Sequence, residues 1–250
     1  MSATTLDRFR EAVAATIESH PIVRSNPYTA WFSQGRMTRD ELHHFTVQFS
    51  VFSHQFLEAQ LRKCINAPDL ETYRAGKEIL LNELGVSFGP NGSVDGSQFR
   101  FSAAHFEWLL AFSRHLGLGF QEIGKRSLGT PATLHFCDTL RKFYGAEDAN
   151  VAAGASYAIE HWAAAGFWKE LIGGLCVFRT RELPALPLGF WVWHDRVEDQ
   201  HAEHTSDELA LVFASAAFSQ NAFLIGAQAV LDAVQTFWLG LDNDRLQKVA

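Results

Sequence analysis

Cysteine, methionine and proline are scarce in this chain: three, two and seven of 250 residues. The cysteines, Cys64, Cys137 and Cys176, are far apart and form no CxxC pair. That excludes a disulfide scaffold and a thiolate zinc module, and leaves buried free thiols in a reducing cytoplasm as the expectation. A basic block is also missing. Lys and Arg total 21 against 28 Asp and Glu, for a net charge of −7, so nothing favours a nucleic-acid partner. No apolar run is long and unbroken. The most apolar late stretch, Leu209 to Leu241, is interrupted by Ser215, Ser219, Gln220, Asn221, Gln228, Asp232 and Gln235, which argues against a membrane span. The opening MSATTLDRFREAV carries charges where a signal peptide needs an apolar segment. Strand-like alternation is nearly absent.

What remains is apolar and aromatic. Hydrophobic residues make up 47% of the chain, with 21 Phe and 7 Trp, enough for one domain over residues 1–250 with a large core. Helical periodicity runs almost throughout. Leu6, Phe9, Val13 and Ile17 mark a first helix ending near Pro21. Thr38 and Glu41 form a capping-box pair opening a helix to about Cys64, with Leu42, Phe45, Phe49, Phe52 and Phe56 inward. Asp69 starts a helix ending at Gly85, and GVSFGPNGSVDGSQFRF reads as a loop. Further helices are expected from Ser102 to about Gly117, from Gln121 and from Pro131. A long one is expected from about Glu147 to Val177, another from near Phe190, and a last pair over Asp207 to Gln247. The prediction is an all-α bundle of about seven to eight helices.

Several ionisable residues fall on apolar faces. In FWVWHDRVEDQHAEH, His194, Glu198 and His201 stand at i, i+4 and i+7, within a sector of ~60° at 100° per residue. Either this is a solvated face or it holds a cation. Glu160 shares its stripe with Ala153, Tyr157, Ala163, Ala164 and Phe167, so it needs a proton, a metal, or a buried Arg or His. Glu83 follows Ile79 and Leu80 on one face, where a half-exposed helix end is the plainer alternative. His105 lies with Trp108, Leu109, Phe112 and Leu116, and a satisfied core histidine is the alternative there. Together four helices send three His and three carboxylates inward, the donor inventory of bundles that hold two iron or manganese ions. His20, beside Pro21, is poorly placed as an axial haem ligand, and His43, His44, His54, His115, His135 and His161 read as structural or surface residues.

The chain resembles the haem-oxygenase-like di-iron oxidases and oxygenases, relatives of the TenA- and PqqC-type folds. That family includes a 1-undecene-forming fatty-acid decarboxylase and a chlamydial p-aminobenzoate-forming protein. The resemblance lies in NPYTAWFSQGRMTRDELHHFTVQFSVFSHQFLEAQLRKC, LLNELG, SAAHFEWLLAFSRHLGLG, SYAIEHWAAAGFWKEL and HDRVEDQHAEH. It implies a metal set of Glu83, His105, Glu160, His194, Glu198 and His201, with Glu83, Glu160 and Glu198 the catalytic carboxylates. It further implies two Fe(II) ions (the second labile, manganese the alternative), O2 as co-substrate, and oxidation of a small amino acid or carboxylic acid. The outcome would be C–C cleavage, desaturation or N-oxygenation. The sequence departs from the family in having Glu198 where Asp is common, and in a longer gap between Glu83 and His105. Tyr28 matches the tyrosine consumed in the chlamydial member, but Lys169 is one position off that member's lysine, so the activity is not carried over. Two other readings stay open. One is a metal-free TenA/PqqC-like enzyme, for which Cys137 is the tempting thiol although its surroundings do not match. The other is a non-catalytic helical binding protein. A small-molecule substrate is the expected partner, with neither nucleic acid nor membrane, and a homodimer is left open.

Overall fold

Helix α4 (Arg39–Ile65) organises the bundle. Thr38 caps it: its hydroxyl accepts the Glu41 amide, and the Glu41 carboxylate accepts the Thr38 amide, so two orphan donors are satisfied reciprocally. Leu42, Phe45 and Phe49 are buried along its inner side, with Phe52 and Phe56 packed against the same core. The computed structural model describes residues 5–87, 98–99 and 104–247, with backbone alone at 87, 98–99, 197–208 and 211.

Before α4 come α1 (Thr5–Val13), a π-helical extension over Ala14–Glu18, α2 (Pro21–Arg24) and α3 (Pro27–Phe32). Both short helices start on a proline preceded by a capping side chain, His20 for α2 and Asn26 for α3. After α4, α5 (Leu70–Glu83) begins on the Asp69 cap and packs against it. The predicted loop contains a two-residue antiparallel pair, β1 (Val86–Ser87) with β2 (Gln98–Phe99), which helical periodicity had not shown. Then follow α6 (His105–Arg114), a 3₁₀ turn over Arg126–Leu128, α7 (Pro131–Thr139) and a second π-helical turn, Leu140–Tyr144.

The chain closes with α8 (Ala149–Ala163), α9 (Phe167–Glu182), α10 (Gly189–Ala214) and α11 (Gln220–Gln247). The all-α class holds, but the described residues form eleven α-helices, more than the seven to eight expected. Two causes account for this. Short proline-started turns before α4 have no room for a periodic pattern. The long helix expected from Glu147 to Val177 is two helices, broken at Gly166, whose φ of 96° is left-handed. Ser102, the expected cap of α6, lies outside the described residues; the helix starts at His105 after an uncapped Ala104.

Helices α8 and α11 pack backbone to backbone. A Cβ on Gly154 would lie 1.9 Å from the Phe223 carbonyl oxygen, and one on Gly226 would lie 2.1 Å from that of Val151. Helix α11 is long and apolar enough to cross a membrane, yet half of its most apolar window is buried against the bundle. The core is unusually aromatic, with Trp191, Trp238, Phe45, Phe49, Phe112, Phe136 and Phe237 essentially inaccessible.

Candidate metal centre

Glu83 stands at the last turn of α5, His105 at the first residue of α6, and His194 in the second turn of α10. Three elements separated in sequence thus end on one point. One donor atom from each lies within 4.8 Å of the others. His105 is buried, and the other two are largely so.

The ring nitrogens define the geometry. His194 Nδ1 donates to the Phe190 carbonyl at 2.7 Å, which fixes the tautomer and leaves Nε2 as the nitrogen able to bind a metal. His105 Nδ1 lies 2.9 Å from Glu83 Oε2, but the pair is not aligned as a hydrogen bond, so this buried nitrogen has no directed partner. A buried imidazole in poorly aligned contact with a carboxylate, beside a second imidazole, is an arrangement a shared cation would satisfy. Aromatic walls hold the imidazoles: His194 stacks on Trp168 at 4.7 Å, His105 on Trp108 at 5.6 Å, and Phe190 sits 4.4 Å from His194.

The electrostatics favour binding a cation. Burial raises the Glu83 carboxyl, but its contact with His105 and the nearby His194 outweigh this, and it is held below the usual carboxylate range. Burial, helped by the neighbouring His105, pushes His194 down to about 4. At neutral pH the trio is therefore an ionised carboxylate with a neutral His194, both in the state a metal needs.

Of the six expected ligands, the described side chains bring Glu83, His105 and His194 together. Glu160, on α8, is half-buried and close enough to Tyr144 to raise its hydroxyl, after burial and against Lys63, but it is not within the trio. Helix α10 carries Glu198 and His201 in its backbone, but their side chains lie outside the described residues. His20 is removed as a haem ligand, since its Nε2 meets Asp232 at 3.2 Å and its Nδ1 accepts the Ile22 amide. Cys137 is buried, its thiol pushed up to about 12 by burial, which disfavours a nucleophile.

No family model matches the sequence, and no curated protein does. Solved structures do match in fold. One is a domain of unknown function with a haem oxygenase-like fold from Shewanella denitrificans. It has a TM-score of 0.65 at 13% identity, covering 100% of this chain and 97% of that one. Another is a CADD-like protein of unknown function from Nostoc punctiforme. It has a TM-score of 0.63 at 17% identity, covering 98% and 97%. This chain therefore has the haem-oxygenase-like fold.

Proposed function

We propose that the chain is an O2-activating non-haem iron oxidase or oxygenase acting on a small amino acid or carboxylic acid. The observation carrying this reading is the convergence of Glu83, His105 and His194, with His105 Nδ1 facing the Glu83 carboxylate at 2.9 Å and the His194 tautomer fixed. Two imidazoles and one carboxylate are the donor set of non-haem ferrous sites. The CADD-like and haem-oxygenase-like neighbours support the same reading through the fold. Glu160, Glu198 and His201 would complete a second site, and manganese is the alternative ion.

Glu83, His105 and His194 would hold the ion, which as ferrous iron would supply the electrons that let dioxygen oxidise a C–H or N–H group of the substrate. The chain's own residues do the rest. Glu83 contributes a negative charge that offsets the cation, and the Phe190 carbonyl holds His194 in its binding tautomer. Trp108, Trp168 and Phe190 wall the imidazoles and keep water away. Free thiols at Cys64, Cys137 and Cys176 fit work in a reducing cytoplasm.

The test is an anaerobic Fe(II) titration of metal-free protein, followed by O2 and stopped-flow absorbance. The reading predicts saturable iron binding, a transient visible band after O2, and roughly tenfold or greater loss of iron affinity in His194→Ala. Absence of stoichiometric iron would reject it in favour of a metal-free enzyme or a binding protein.

A further inference from the structure

At the junction of α4, α8 and the Leu140–Tyr144 turn lies a second polar cluster, outside the trio. Phe56, Gln60 and Lys63 are spaced i, i+4 and i+7 on α4 and share one stripe. Both ends of that stripe meet Tyr144: Phe56 at 5.2 Å between rings, and Lys63 Nζ at 4.8 Å above the ring. Gln60 sits between them and is completely buried, yet neither its amide nitrogen nor its oxygen has a hydrogen-bond partner. Tyr144 is also completely buried; its hydroxyl makes no aligned hydrogen bond, but burial and the nearby Glu160 raise it while the adjacent Lys63 and Ser156 lower it. Lys63 Nζ donates to Ser156 Oγ at 2.5 Å, and Ser156 is buried.

Buried polar atoms without aligned partners beside a lysine oppose folding. An apolar side chain would fill the same space without that cost. The donors gathered here are an ammonium, a phenol, a carboxamide and a hydroxyl, which together match the two oxygens of a carboxylate. Gly76 of α5 packs on Cys64, next to Lys63, and Glu83 is seven residues further along α5, ~10 Å at 1.5 Å per residue. Glu160 stands one turn beyond Ser156 on α8.

We propose that Lys63, Gln60, Tyr144 and Ser156 form the anchor for the substrate's carboxylate. The proposal rests on the functional reading above for what happens at the far end, but its binding chemistry stands alone. An acid held here presents a carbon or nitrogen several bonds from its carboxylate to the Glu83 end. Oxidation then falls remote from the carboxyl group, which favours N-oxygenation or distal desaturation over decarboxylation.

The test is calorimetric binding of hexanoate, octanoate and 3-phenylpropionate to the full-length metal-free protein, each against its primary amide. The anchor predicts at least a tenfold preference for acid over amide. Lys63→Met abolishes that preference, and Tyr144→Phe, which keeps the ring and the packing, reduces it several-fold. Equal affinity for acid and amide, no acid bound by either metal-free or Fe(II)-loaded protein, or a preference that survives Tyr144→Phe and any folded Lys63→Met would overturn it. Iron titration of the same proteins separates the two claims. Acid preference that depends on these residues without iron binding keeps the anchor and sinks the oxidase. Iron binding without acid preference does the reverse.

Discussion

A buried histidine that refuses a proton makes folding sensitive to acid. His194 ordinarily titrates near 6.5 and is pushed down to about 4 in the fold. Between those values the unfolded chain takes up a proton that the folded chain does not. Stability from this group is therefore fully present above about pH 6.5 and is lost as pH falls towards 4. Glu83, held below its ordinary value, adds a loss in the same direction as pH falls through the acidic range. The metal-free protein should lose melting temperature steadily from pH 6.5 to 4.5. His194→Gln should flatten that slope while lowering stability at pH 7.5. A parallel slope in wild type and variant, read by scanning calorimetry, would contradict the assignment.

The same scale shows what the sequence makes legible. Glu83, His105 and His194 each interrupt an apolar stripe, and a charged or titratable group on such a face draws notice; the structure brings these three together. Lys63 gives no such signal, since in LRKC it follows Arg62 and reads as ordinary solvated charge. Only the packing of α8 and the Tyr144 turn against α4 reveals that it is partly buried beside orphaned groups. Gln60 is silent for a related reason: a lone amide has no spacing partner.

Among the elements, capped helix starts were the readable part, whereas the helix expected from Gln121 is a turn leading into the 3₁₀ segment Arg126–Leu128. Thr38 with Glu41, Asp69, and Pro131 behind the Thr130 cap all mark real boundaries. Breaks inside apolar runs were not, because Ala164 to Gly166 carries the same small, apolar residues as the helices around it. Small residues matter again where α8 meets α11. Gly226 lets the two backbones approach, and a methyl there would have to displace the Val151 carbonyl. Gly226→Ala should cost about 1–3 kcal/mol by overpacking, a fall of roughly 2–10 °C in Tm for a domain of this size. It should also weaken acid binding, because α8 carries Ser156 into the anchor. Unchanged Tm and unchanged acid binding would show that the close packing is not what sets the position of α8.

Across the whole molecule, an aromatic bundle encloses two polar islands: the Glu83–His105–His194 trio and the Lys63–Tyr144–Ser156 cluster. The hydrophobic effect stabilises the bundle in proportion to the apolar area removed from water. Orphaned and ionised groups inside it oppose folding. Such groups persist in a core when something outside the chain completes them. A cation would satisfy one island and an anion the other, so the fold should be stiffer with both bound. Fe(II) and octanoate together should raise Tm by more than either alone, since each binds the folded state and not the unfolded one. A combined shift no larger than that from a single ligand would mean that the two islands do not both bind.

The most direct measurement is anomalous diffraction at the iron edge from crystals grown anaerobically with Fe(II). The account predicts a peak bounded by the Glu83 carboxylate, His105 Nδ1 and His194 Nε2. Iron bound elsewhere, or no iron at full occupancy of the folded protein, would contradict it.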